Sequence, residues 1–99
     1  MSKVKDLLTK EDKWCKKELA KTKYGKSVSN TERTAYSRCL IGWLMYCYPV
    51  DNDYFKVIAK VLEKINSRHQ KSWKTITEWN DAQKRTFKQV RKLVETLDI

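Results

Sequence analysis

Glycine, proline and histidine are scarce in this sequence. Its 99 residues include two Gly, one Pro and one His. Without a glycine-rich loop, the chain has neither a phosphate-binding loop nor a dinucleotide fingerprint. It also contains neither the CxxC nor the HxxxH pair from which zinc sites are commonly built. The sequence therefore predicts a protein that is not an enzyme and that carries no metal or cofactor.

The sequence also lacks a long apolar segment. Its longest apolar run, from Cys39 to Val50, is too short to span a bilayer. The N-terminus is charged and has no apolar signal core. The three cysteines, Cys15, Cys39 and Cys47, are odd in number and fit buried thiols in a reducing compartment better than disulfides. These features predict a cytoplasmic protein without a membrane partner.

Positive charge is abundant, with a formal net charge of +10. Residues 1–28 carry nine lysines against four acids, and residues 56–99 carry eleven cations against five acids. Residues 29–55 are close to neutral. A field of this sign raises the encounter rate with polyanions, acidic proteins and anionic nucleotides. An acidic partner is therefore expected.

The length and the apolar spacing predict one domain, residues 1–99, of the mainly α class. We expect a compact bundle of about four helices around a central apolar helix at residues 30–48. The stretch Ser29-Asn30-Thr31-Glu32 has the form of a capping box that would open this helix, and Pro49 would end it. Gly42, in the middle of the helix, indicates a close crossing by another element.

The remaining helices are predicted from local signals. Residues 3–13 read as a short first helix, and Asp51-Asn52-Asp53 would cap a helix at about 53–67. Residues 73–79 suggest a short amphipathic turn, and Thr86 with Gln89 forms a capping box for the last helix. Residues 14–28 are compatible with a continued helix, which propensity favours, or with a small β-hairpin.

Two sets of residues are candidates for binding. The first is a basic face suited to nucleic acid or to a host complex that handles nucleic acid, such as a defence nuclease whose channel the protein would occupy. The second is a pocket in which indole, amide and guanidinium groups would take a nucleotide or another small anion. The basic face comprises Lys56, Lys60, Lys64, Arg68, Lys84, Arg85, Lys88, Arg91 and Lys92, and the pocket comprises Trp73, Trp79, Asn80, Asp81 and Arg85.

The pocket residues also have a purely structural interpretation. Asn80 and Asp81 favour a turn, because their side chains bond neighbouring backbone amides. Trp79 would anchor that turn in the core, and its indole N–H would then need a partner. Arg85 is placed to bridge back to Asp81. A third hypothesis is a homo-oligomer with an apolar interface, drawn from Trp43, Met45, Tyr46 and Tyr48.

Several short motifs together resemble a family of small proteins of unknown function from actinomycetes and their phages. The motifs are Trp14-Cys15, Gly25-Lys26-Ser27-Val28, Cys39-Leu40-Ile41-Gly42, and Trp79-Asn80-Asp81 followed by Arg85-Thr86. The last motif is the most specific of them. The resemblance covers most of the chain and implies a hairpin within residues 14–28. It also implies a phage or mobile-element setting, hence the host cytoplasm, but no activity.

The chain departs from this family pattern at two places. Members often have a Gly soon after the first Cys, where this chain has Lys17, and Pro-Gly between the Asp and the Arg, where it has Gln83-Lys84. We therefore expect the two loops to differ in shape from those of the family.

Overall fold

The computed structural model describes residues 3–48, 52–67 and 73–99. These residues form five α-helices, one 3₁₀ turn at Glu11–Lys13 and one three-stranded sheet. None of these helices is both long enough and apolar enough to cross a bilayer. In chain order the elements are α1 (Val4–Leu7), β1 (Ala20–Thr22), β2 (Ser27–Val28), β3 (Ala35–Arg38), α2 (Leu40–Cys47), α3 (Asn52–Asn66), α4 (Ile76–Asp81) and α5 (Phe87–Leu97).

The expected bundle of about four helices around a central helix at residues 30–48 is wrong. The second half of that segment is helical, but α2 begins only at Leu40. Residues 35–38 form strand β3, which pairs antiparallel with β1 in a sheet of order β2-β1-β3. The capping box predicted at Ser29 opens no helix. Instead, the Cys39 thiol accepts a hydrogen bond from the Gly42 amide at 3.4 Å and caps α2.

Of the two alternatives for residues 14–28, the structure has the hairpin. Strands β1 and β2 pair antiparallel, with Ala20 opposite Val28. The Thr22 hydroxyl accepts a hydrogen bond from the Lys26 amide at 3.1 Å across the connecting turn. Gly25 has φ +87°, a left-handed conformation that glycine adopts without steric cost. This turn decides against a continued helix.

The helices of the second half lie close to their predicted positions. Helix α3 covers residues 52–66, within one residue of the prediction, although Pro49 and Asp51 lie outside the described residues. The capping box at Thr86 is confirmed, since its side chain and that of Gln89 each accept the other's backbone N–H. The first helix is shorter than expected and ends at Leu7.

Helix α2 lies at the centre of the core and packs against α1, α3, α4 and β3. The close approach expected at Gly42 is present. A Cβ atom there would lie 2.5 Å from the Leu19 carbonyl oxygen and 2.9 Å from Asn30 Oδ1. Glycine therefore lets the backbone before β1 cross this helix. The buried apolar core comprises Val4, Leu8, Leu40, Trp43, Leu44, Cys47, Val61, Ile65, Ile76, Trp79, Val90, Leu93, Val94 and Ile99.

Candidate phosphate-binding groove

Asn80, at the centre of the most specific motif, is a structural residue. It is fully buried in the last turn of α4 rather than in a loop. Its Oδ1 accepts hydrogen bonds from Trp14 Nε1 at 2.6 Å and from the Leu40 amide at 3.0 Å. Its Nδ2 donates to the Cys15 carbonyl at 3.1 Å. Asn80 therefore joins the N-terminal segment to the start of α2, and its amide group is fully used in doing so.

Asp81 belongs to the same structural cluster and makes no contact with Arg85. Its Oδ1 accepts hydrogen bonds from Asn80 Nδ2 at 2.9 Å and from the Lys17 amide at 2.9 Å. Lys17 has φ +69°, in the left-handed region that favours glycine. In this strained conformation Lys17 donates its amide to Asp81, so both Asn80 and Asp81 are engaged in hydrogen bonds within the fold.

Arg85 is held by Trp79 and by neutral acceptors. Its guanidinium carbon lies 3.9 Å from the Trp79 ring centroid and 5.7 Å from that of Trp73. Its Nε donates to the Trp79 carbonyl at 2.8 Å, and its Nη1 donates to Gln89 Oε1 at 3.3 Å. Burial lowers the pKa of Arg85. No carboxylate among the described residues lies within ion-pair distance of it.

A groove of about 410 Å³ opens beside Arg85, between α3 and α5. Three cations line it, with no acid among the described residues that border it. Buried apolar side chains form its floor. The lining residues are Lys64 and Ile65 from α3, Trp79 from α4, Arg85, and Gln89, Lys92, Leu93 and Thr96 from α5. Of the five predicted pocket residues, only Trp79 and Arg85 line the groove, while Trp73 contacts Arg85 through its ring.

Trp79 has an unusual feature for a core residue. It is 4% exposed, and its indole N–H has no hydrogen-bond partner among the residues that the structure describes. Buried polar groups are nearly always paired, and leaving one unpaired costs about 1–3 kcal/mol. The expected core anchor is therefore present, but the part of the chain that the structure describes supplies no partner for its N–H.

The predicted basic face divides into free and engaged cations. Six exposed or half-buried lysines form no ion pair with any described residue. Arg91 is engaged, because it bonds the Lys5 and Leu8 carbonyls and pairs with Glu95 at 2.6 Å. Arg68 lies outside the described residues. The six lysines are Lys56, Lys60 and Lys64 on α3, Lys84 before α5, and Lys88 and Lys92 on α5.

The two lysine rows meet at the groove. Successive lysines within a row are four residues apart, about 6 Å along a helix. Lys64 ends the α3 row and Lys92 the α5 row, and both line the groove with Arg85. The sequence predicted that these cations share one face, but it did not predict that Gln89 and Thr96 lie beside them. Positions 85, 89, 92, 93 and 96 follow the spacing of a single helix face, and that signal could have identified the groove.

A second basic cleft lies beside the hairpin. It has a volume of about 620 Å³ and includes Lys16, Lys17, Lys21 and Lys23. The Lys16 ammonium is engaged with the carbonyls of Ala82 and Gln83, at 2.8 and 3.3 Å. Asp12 also lines this cleft. The described lining of this cleft therefore includes one acid among its cations, whereas the described lining of the groove includes none.

The cysteines are buried and free. Burial raises the pKa of Cys39 and of Cys47 to about 11, and it also raises that of Cys15. The thiolate is the reactive form, so these groups are poor nucleophiles and poor metal ligands at neutral pH. Within residues 3–48, 52–67 and 73–99, no cluster of His, Cys, Asp and Glu could hold a metal ion.

The chain belongs to DUF6197, a family of unknown function whose profile matches residues 1–97. This confirms the predicted resemblance to a family of unknown function. No curated protein and no solved structure matches the chain. Function is therefore inferred from the geometry of the groove and of its basic surroundings.

Proposed function

We propose that this member of DUF6197 is a non-enzymatic binding protein that takes the phosphate backbone of nucleic acid on the face formed by α3, Arg85 and α5. One observation carries the proposal. Lys64, Arg85 and Lys92 converge on a groove that no described carboxylate lines. Concentrated positive charge without compensation attracts polyanions.

Arg85 supplies the directional contact. Its Nε and Nη1 are occupied by neutral acceptors, and its plane is fixed against Trp79. Its Nη2 has no partner among the described residues, so both N–H groups of that nitrogen remain for a phosphate oxygen. A guanidinium that is already immobilised loses little entropy when it binds. Hydrogen bonds from a charged donor to a phosphate are also about twice as strong as neutral ones.

The lysine rows supply the long-range attraction. Lys56 and Lys60 precede Lys64 on α3 at four-residue spacing, and Lys84, just before α5, and Lys88, on α5, precede Lys92 in the same way. Each lysine that neutralises a phosphate releases counterions, which makes binding steeply dependent on salt. Such contacts read no base edges, so we expect little sequence specificity.

The setting of this activity follows from the resemblance noted above. A phage or mobile-element protein in the host cytoplasm would meet nucleic acid directly, or would meet host complexes that bind nucleic acid. The same basic face could then occupy the nucleic-acid channel of a host nuclease. Binding to such a complex without affinity for free oligonucleotides would contradict the proposal made here and would favour that alternative.

The test is a salt titration with fluorescent single-stranded and duplex oligonucleotides of mixed sequence. If about four phosphates are contacted, the slope of log K against log salt is about −3 for a single strand. The variant Lys64→Gln/Lys92→Gln should weaken binding and make the slope shallower by about 1 to 2. Lys21→Gln/Lys23→Gln is the matched control in the hairpin cleft, and it should change binding less. No binding at low salt, or a larger loss in the hairpin variant, overturns the proposal.

A second candidate is a small anionic ligand, such as a mononucleotide, bound in the groove itself. The convergence of Lys64, Arg85 and Lys92 on a groove of about 410 Å³ favours it. Thermal unfolding with a panel of nucleotides would test it, because a ligand that binds only the folded state stabilises as RT ln(1 + [L]/Kd). The shift should shrink in Lys64→Gln/Lys92→Gln. If a nucleotide raises the melting temperature of the wild type and of this variant equally, the groove is excluded as its binding site.

A further inference from the structure

Arg38 is a buried cation without a described counter-charge. The residue is 6% exposed, at the end of β3. Its Nε and Nη2 donate to the Asn30 carbonyl at 3.2 and 3.0 Å, and its Nε also reaches Asn30 Oδ1 at 3.1 Å. These acceptors are neutral, and no described carboxylate lies within ion-pair distance. Burial lowers the pKa of Arg38.

Aromatic rings hold the guanidinium in place. Its central carbon lies 4.0 Å from the Tyr46 ring centroid and 4.9 Å from that of Trp43. Cation–π contacts of this kind offset part of the cost of burying a charge, but they do not neutralise it. The Nη1 group of Arg38 has no partner among the described residues. The guanidinium is thus fixed and charged, and its Nη1 is open to water or to an anion.

Arg38 borders a cleft of about 430 Å³ that carries two further cations, Lys13 and Arg33. Arg33 is exposed, and Lys13 lies over the Tyr36 ring at 4.1 Å from its centroid. Glu32 is the single acid among the described lining residues, and neither cation pairs with it. The cleft therefore carries a net charge of about +2. A bound dianion would neutralise that charge.

We propose that this cleft is a second anion site, distinct from the α3–α5 groove, which binds a phosphate monoester against Arg38, Arg33 and Lys13. A monoester carries nearly two negative charges at neutral pH, whereas each phosphodiester of a nucleic-acid backbone carries one. The charge of the cleft matches the monoester. Tyr46 is 54% exposed at the rim, and Arg38 covers one face of its ring. The remaining ring surface is open to a planar group attached to the phosphate.

Two sources offer this chemistry, a free nucleoside monophosphate and the 5′-phosphorylated end of a nucleic-acid strand. Two matched pairs of probes distinguish them. The first pair is a nucleoside 5′-monophosphate and the corresponding nucleoside. The second pair is one short oligonucleotide with and without a 5′-phosphate. A preference for the phosphorylated member of the first pair alone identifies a small ligand. A preference within the second pair identifies a strand end.

The indole N–H of Trp43 is a local reporter, since Trp43 lines the cleft and donates to the Lys13 carbonyl at 2.9 Å. We expect its NMR signal to move when the monophosphate is added, but not when the nucleoside is added. Arg33→Gln should weaken that affinity about tenfold, the effect of losing one charged contact. Lys64→Gln/Lys92→Gln should leave it unchanged, which separates this site from the groove.

Arg38→Met provides an independent test of the buried charge. The gap in melting temperature between the wild type and this variant should widen as the monophosphate concentration rises. If the variant does not fold, the Arg33→Gln comparison decides instead. An unmoved Trp43 signal for both phosphorylated probes overturns the proposal. An equal affinity of Arg33→Gln and of the wild type for the monophosphate, read from the Trp43 signal, also overturns it.

Discussion

The indole nitrogen of Trp14 lies 2.6 Å from Oδ1 of Asn80, a residue 66 positions further along the chain. Through this bond and the one from the Leu40 amide, a single buried side chain links the N-terminal segment, α2 and α4. The middle of the most specific motif therefore serves the fold. Its two ends, Trp79 and Arg85, line the groove that we assign to phosphate.

Asn80→Ala should destabilise the protein by at least about 3 kcal/mol. The substitution leaves the Trp14 indole N–H, the Leu40 amide and the Cys15 carbonyl without their partner, and each such group costs about 1–3 kcal/mol. Urea denaturation measures the change. Asn66→Ala is the control, because Asn66 is half-buried and its side chain bonds the Trp73 backbone and no other described residue. If Asn80→Ala loses no more stability than Asn66→Ala, Asn80 does not link the N-terminal segment to α2 and α4 as described.

The free energy of unfolding of Lys17→Gly should exceed that of Lys17→Ala by about 1 kcal/mol. Lys17 has φ +69°, and residues with a Cβ atom pay about 1–2 kcal/mol in this region. The comparison of Lys17→Gly with Lys17→Ala isolates that cost. The same pair of substitutions at Lys60, exposed within α3, should have the opposite order, because glycine costs about 1 kcal/mol in a helix. If the alanine variant is the more stable one at both positions, the backbone at Lys17 is unstrained.

Gly42→Ala should destabilise the protein, although alanine favours helix by about 1 kcal/mol. The added Cβ would lie 2.5 Å from the Leu19 carbonyl, and a backbone atom cannot move away cheaply. Overpacking of this kind typically costs about 1–3 kcal/mol. Thermal and urea unfolding both report the sign of the change. A more stable variant would mean that the backbone before β1 does not cross α2 as closely as described.

Asp98 should make the stability depend on pH in the acid range. Hydrogen bonds from Lys5 and Lys3 lower the pKa of its carboxyl from 3.8 to about 2. The contribution of Asp98 is therefore complete above about pH 4 and is lost as the pH falls through about 2. Asp98→Asn retains a residue type that tolerates the left-handed conformation found there. We expect its melting temperature to fall less steeply between pH 4 and pH 2. If the melting temperatures of the wild type and of Asp98→Asn fall in parallel over this range, the pairing of Asp98 with Lys3 and Lys5 is contradicted.

The sequence predicted those elements whose signals are local. Thr86 and Gln89 cap α5 within four residues, and the apolar spacing of α3 depends on that helix alone. The segment before α2 was mispredicted because its structure depends on distant partners. The amide of Glu32 does bond the Ser29 carbonyl at 3.0 Å, so one turn forms at the expected box. Pairing of residues 35–38 with β1 then prevents the helix from continuing.

The candidate site was predictable in part, for the same reason. Its cations were placed on one face by their spacing along α3 and α5. The partners of Asn80 and Asp81 were not predictable, since Trp14 and Lys17 reach them only through the fold. Arg38 also escaped notice, because nothing in its neighbouring residues indicates that it is buried between Trp43 and Tyr46.

The central claim is that nucleic acid binds at the α3–α5 groove, and the indole N–H signals of the four tryptophans test it most directly. Trp79 lines the groove, whereas Trp14 lines the hairpin cleft and Trp43 the Arg38 cleft. On titration with a short single strand that lacks a 5′-phosphate, we predict that the Trp79 signal shifts most. Largest shifts at Trp14, with Trp79 unmoved, would place the binding surface at the hairpin and contradict the account.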